Sequence, residues 1–169
     1  AKLTGAGRFA DKLGIDFSEC LDDPATLDSA RKIFERKIRY WETRPMTPGQ
    51  NAVVSPADAK VLVGSFSDTS EIFIKEKFFN YTELIGQDRW LSAFENGDFA
   101  IFRLTPEKYH YNHTPVAGKV LDIYEIPGCY YPCNPGAVMA SVSPYSKNKR
   151  VVTIIDTDVG SGTGVGLVA

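Results

Sequence analysis

From residue 51 onward the chain is written in short runs of Val, Ile, Phe and Tyr, each closed off by Gly, Pro, Asn or Ser. β-Branched and aromatic side chains suit a pleated, half-buried surface, and the residues between them are turn formers. Six strands are expected, at 52–54, 59–66, 71–75, 98–104, 116–126 and 150–156. Parallel strands would need a long crossover, usually helical, between neighbours. Only two short helices interrupt this region. One spans 80–86, with Asn80 as its cap and Gly86 as its stop, and the other spans 88–95. The expected class is therefore α+β, mostly β: a β-sandwich or distorted barrel with an N-terminal helix and short helices. The final Leu167-Val-Ala169 reads as the start of another strand, so the chain is expected to stop before its fold does.

The first 49 residues follow a different pattern. Residues 1–24, with Gly5, Gly7, Gly14 and an Asp22-Asp-Pro24 break, read as a loosely structured lead-in. Ala30, Ile33, Phe34, Ile38 and Trp41 then recur near helical spacing, which predicts an amphipathic helix over 25–42 between Pro24 and Arg44-Pro45. Its other face carries Arg31, Lys32, Glu35, Arg36, Lys37 and Arg39. That face is either simply solvated or a surface for anionic lipid. The organisation expected is a lead-in and helix over 1–49, followed by a catalytic-type domain over 50–169.

The bulk figures exclude some classes. A formal net charge of −2 gives no footprint for nucleic acid. No run approaches the ~20 apolar residues of a membrane-spanning helix, and no signal peptide is visible. The chain begins with Ala, so the natural N-terminus, with any membrane anchor on it, is expected to have been removed.

Both histidines lie in one turn, Tyr109-His-Tyr-Asn-His113, after the run Phe99–Leu104. Histidine titrates nearest neutrality and is the usual proton shuttle, so His110 and His113 are either a catalytic pair or two satisfied structural imidazoles. Asp58, in Ser55-Pro-Ala-Asp58, could orient a histidine and stabilise its imidazolium form, or could simply bond its own turn. Cys129 and Cys133 could complete a C2H2 zinc set with the two histidines, but a strand intervenes. Reduced thiols in a cytosolic protein, Cys20 among them, are the preferred reading and no metal is expected. The run Gly160-Ser-Gly-Thr-Gly-Val-Gly166 lacks the ending of a phosphate loop and reads as a close-packed connection, and Ser161 has no nucleophile-elbow context. Asp156-Thr-Asp158 has no third carboxylate nearby, so capping of the strand end is preferred to metal binding.

The order of these motifs carries more than any one of them. Ser55-Pro-Ala-Asp58, Phe79-Asn-Tyr-Thr-Glu-Leu-Ile-Gly86, Leu104-Thr-Pro-Glu-Lys-Tyr-His-Tyr-Asn-His113, Tyr124-Glu-Ile-Pro-Gly128 and Lys147-Asn-Lys-Arg-Val-Val152 succeed one another. Over residues 50–169 the chain resembles the phosphatidylserine decarboxylase family. The resemblance implies a carboxy-lyase made as a proenzyme. A serine in a Leu-Gly-Ser-type motif attacks its own preceding peptide carbonyl, and becomes a pyruvoyl group on a small α subunit. Asp58 and His113 match the family's self-cleavage triad with that serine, and His110 matches the histidine of decarboxylation. The pyruvoyl carbonyl takes the substrate amine as a Schiff base and acts as an electron sink, as pyridoxal phosphate does. No Leu-Gly-Ser occurs here, so the pyruvoyl cofactor would come from a serine outside this chain. The fragment, an incomplete β chain, is expected to be inactive alone. The implied partners are the α subunit, phosphatidylserine or, as in soluble members, a free aromatic amino acid, a peripheral membrane surface and a second copy of the chain. The implied location is cytoplasmic or peripheral to a membrane, and the implied role is phospholipid biosynthesis, the making of phosphatidylethanolamine. The competing reading is a non-catalytic β-domain that binds a lipid or other ligand.

Overall fold

The structure, a computed structural model, describes residues 5–49, 51–67, 71–74, 77–131, 144–157, 159 and 163–169. The chain divides into two compact units, residues 1–62 with 101–115 and residues 63–100 with 116–169.

The first unit is mainly helical. Helix α1 (Gly5–Leu13) lies where a loose lead-in was expected. Its Ala10 is fully buried and packs with Ile15, Cys20, Leu27 and Ile33, while Leu13 and Phe17 close over them. The glycines at its start obscure a helix whose stability comes from this core. The single helix expected over 25–42 is also corrected. A 3-10 turn at Pro24–Thr26 is followed by α2 (Ala30–Phe34) and α3 (Tyr40–Thr43). Ser29 restarts the helix by accepting from the Lys32 amide. Ile38 forms an isolated antiparallel bridge with Cys20, which demands extended backbone in the middle of the expected helix. Of the predicted apolar stripe, Ile33 and Ile38 are buried, whereas Phe34 and Trp41 are about half exposed. The basic face stays at the surface at Arg31 and Lys32, where it is paired with acidic neighbours, and turns inward at Arg36. Arg31 pairs with Glu35, Lys32 with Asp28, and Arg39 donates to the Ser18 and Cys20 carbonyls. Residues 52–54 form no strand; Val54 N–H makes a single bond to the Pro115 carbonyl.

Strands β1 (Lys60–Ser65) and β4 (Asp98–Arg103) pair with each other, and the boundary between the units falls within both. In the second unit β2 (Glu71–Ile74) and β3 (Lys77–Asn80) form a hairpin. Asn80 then caps α4 (Tyr81–Ile85), accepting from the Thr82 amide, and Gly86 stops it in the left-handed region at φ 63°. Helix α5 (Asp88–Phe94) follows. Strand β5 (Gly118–Ile126), the short helix α6 (Pro144–Lys147), β6 (Arg150–Thr157) and β7 (Thr163–Val168) complete the unit.

The main sheet is antiparallel in the order β5-β6-β7. Its centre is β6, where Val152, Ile154 and Ile155 are 0–2% exposed. Burial alternates from Arg150 to Ile154 and then changes parity at Ile155. The pairing register with β5 slips at the same place, between Val120 and Asp122. Gly164 and Gly166 belong to β7, not to a connection, and Gly166 seats the Phe94 ring. Gly160, Ser161 and Gly162 lie outside the described residues. The class is mixed α+β as expected, but the strands fall into three separate open sheets and no closed barrel is present among the described residues.

Candidate active site

All three expected site residues lie in the first unit. Its segment 104–115 returns alongside 52–58. The His113 amide donates to the Pro56 carbonyl at 2.8 Å, and Val54 bonds Pro115. Pro56 and Ala57 are buried, so the Ser-Pro-Ala-Asp turn is anchored on both sides. Ser55 Oγ locks it further by donating to the Ala57 carbonyl at 2.7 Å.

Asp58 and His113 line one cavity of about 240 Å³, together with Tyr40, Arg44, Ser55 and Tyr109. The His113 ring sits between two tyrosines, 4.9 Å from the Tyr40 ring and 5.6 Å from that of Tyr109. Its nitrogens make no hydrogen bond among the described residues, and the imidazole is uncommitted on the cavity wall. Tyr109 is itself buried, and burial pushes its phenol above the usual range.

Asp58 is not bonded to His113. Its carboxylate is held instead by Arg44, whose Nε donates to Oδ1 at 3.1 Å and to Oδ2 at 2.9 Å. The other edge of the guanidinium grips Glu19, Nη1 on Oε1 at 2.9 Å and Nη2 on Oε2 at 3.0 Å. Glu19 in front of all, and Asp58 as well, hold the Arg44 charge above its ordinary stability. By its sequence context Arg44 reads only as a helix stop before Pro45. Its role could not be found there because it depends on Glu19 and Asp58 converging from distant turns.

His110 stands apart from this cavity. Its ring stacks on Phe34 with centroids 3.7 Å apart, and its Nε2 is buried with no hydrogen-bond partner among the described residues. Burial, foremost, holds the imidazole below its ordinary range, opposed by a bond with the Thr105 main chain. Beneath it Arg36, only 4% exposed, donates to the carbonyls of Ile33, Lys108 and Glu107. This arginine, expected on a solvated face, fixes the stretch that leads into the histidines.

Among the described residues no group of three His, Cys, Asp or Glu side chains could hold a metal ion. Cys133 and Asp158 lie outside those residues. No helix among them is long and apolar enough to cross a membrane.

The chain matches the family described as phosphatidylserine decarboxylase over residues 30–169. It is 32% identical over 169 residues to the phosphatidylserine decarboxylase proenzyme of Anaeromyxobacter sp. (strain K), covering 95% of this chain and 56% of that protein. It is 33% identical over 156 residues to the proenzyme of Bordetella petrii, covering 90% and 54%. With proenzyme 2 of Oryza sativa subsp. japonica the identity is 33% over 153 residues, covering 88% and 24%. The chain spans about half the length of the bacterial relatives it matches. Motif order, the paired histidines and the match over residues 30–169 agree: this chain belongs to the phosphatidylserine decarboxylase family.

Proposed function

We propose that this chain is the β portion of a pyruvoyl-dependent decarboxylase that converts phosphatidylserine to phosphatidylethanolamine and matures by cutting its own precursor. Asp58 and His113 serve the cut, and His110 serves the decarboxylation. The observation that supports this most is the shared cavity. Two residues from distant motifs face the same hollow, one a fixed carboxylate and the other a histidine with its nitrogens uncommitted.

The chemistry of these residues fits such a site. His113 can take the proton of a serine hydroxyl entering the hollow, and the nearby Asp58 charge favours the imidazolium so formed. His110, neutral through burial, can accept a proton at an open nitrogen. Once charged in a poorly hydrated place it would give that proton up readily, as a proton donor in a decarboxylation must. A covalently held pyruvoyl group supplies the electron sink for loss of carbon dioxide. The hollow of about 240 Å³ suits a head group or an amino acid, so acyl chains would lie outside it. Apolar residues of β5, with Val120, Leu121 and Ile123 46–63% exposed, are consistent with a further chain segment covering that strand.

The test is carbon dioxide release by the mature full-length protein. Phosphatidylserine in mixed vesicles should be turned over and free aromatic amino acids should not. The opposite preference would replace the lipid substrate with an amino acid. A fully cleaved protein inactive on both would leave a ligand-binding domain.

A further inference from the structure

We propose that Arg44, itself anchored by Glu19, is the positioning residue that sets the place of Asp58 for self-cleavage. The inference rests on the self-processing reading above and adds to it a group that acts only through the aspartate.

The geometry carries it. A guanidinium has five N–H donors in a rigid fork. Arg44 spends its two terminal nitrogens on the two oxygens of Glu19, and one of them also donates to the Thr43 carbonyl at 3.0 Å. The remaining Nε–H is shared between both oxygens of Asp58. Asp58 therefore accepts from a single N–H, which leaves lone pairs on each oxygen for a histidine. The strut is tied at its far end to Glu19, in the 3-10 turn Phe17–Glu19, whose backbone is fastened in turn by Arg39 to the Ser18 carbonyl. Lysine could not reproduce this, because it lacks the fork.

Facing Asp58 are Arg44, His113, Tyr40 and Tyr109 around the cavity, and Lys60, Glu107 and Lys108 around the neighbouring hollow. Arg44 is the cation bonded to it. Without that fork no other hydrogen bond among the described residues fixes how the carboxylate is turned. A lysine would keep the positive charge and lose the fork, so it separates placement from charge.

The experiment follows the appearance of two chains from the full-length precursor in cell-free translation. Arg44→Gln should slow the cut about 10- to 100-fold, as loss of a group that orients a reacting pair does, and Arg44→Lys, which keeps the charge without the fork, should restore only part of the rate. Glu19→Gln should slow it less, and the double variant should be no slower than Arg44→Gln, because Glu19 acts through the arginine. If the wild type is cut and His113→Ala is not, yet Arg44→Gln is cut at the wild-type rate or Arg44→Lys restores that rate in full, the inference is overturned while the self-processing reading stands. If His113→Ala is cut like the wild type, the self-processing reading itself fails. Should Arg44→Gln not fold, the partly exposed neighbour Glu19 decides: slowed cutting in Glu19→Gln supports the strut, and a wild-type rate overturns it.

Discussion

Replacing Arg36 by Met probes the stretch that carries both histidines. The side chain is 4% exposed and forms no salt bridge among the described residues; it donates to the Glu107 carbonyl at 2.7 Å, to Ile33 at 3.1 Å and to Lys108 at 3.4 Å. A hydrogen bond from a charged donor contributes about 1.5–3 kcal/mol. The short bond to Glu107 stands near the top of that range and the long one to Lys108 near or below the bottom, so the gross loss over the three bonds is about 5–6 kcal/mol. Methionine fills the volume of the aliphatic stem and removes a buried cation whose Nε has no partner among the described residues, which returns a few kcal/mol. The net cost is about 2 kcal/mol, which for a chain of this size lowers Tm by about 4–8 °C. The positive charge of Arg36 also helps hold the His110 imidazole below its ordinary range. The variant should therefore show His110 titrating at higher pH by NMR. An unchanged Tm together with an unmoved His110 titration would refute the claim that this guanidinium fastens the histidine segment.

Three further outcomes are expected. Because burial lowers the folded-state pKa of His110 from 6.5, the unfolded chain binds more protons below that pH. The contribution of His110 is thus fully present above about pH 6.5 and is lost on acidification; His110→Gln should flatten that part of the stability–pH curve, measured by urea unfolding. A Cβ at Gly118 would lie 2.2 Å from the Asp156 carbonyl oxygen, a main-chain atom that cannot rotate away. Gly118→Ala should cost about 1–3 kcal/mol and accelerate amide exchange at the Gly118–Thr157 end of the β5–β6 ladder, and unchanged exchange there would contradict the packing described. Ile33, 1% exposed in the first unit's core, should cost about 2–5 kcal/mol on replacement by Ala, read as a fall in the thermal midpoint.

How far the sequence pattern carries depends on where each signal is local. Helix α4 was legible because its start and stop are single residues, Asn80 and Gly86, acting on their own backbone neighbours. Strands β1, β4, β5 and β6 lie within a few residues of their expected ranges, since β-branched runs bounded by turns are also local signals. The 25–42 helix failed for the opposite reason: the break is enforced by Cys20 pairing with Ile38 and by Arg36 turning inward to carbonyls far along the chain. Periodicity has no access to such partners. The same holds for the site. Asp58, His110 and His113 stood out by residue type and motif order, and two of them share a cavity. Arg44, Glu19 and Arg36, which hold the surroundings in place, look like ordinary surface charges until the fold brings their partners to them.

The central claim is that the Asp58–His113 cavity is a self-processing site, and the intact mass of the protein expressed from its full-length gene tests it most directly. The wild type should give two chains, the smaller blocked by a pyruvoyl group, and His113→Ala one uncut chain. A wild-type protein that stays in one piece, or a His113→Ala protein that is cut as before, would contradict it.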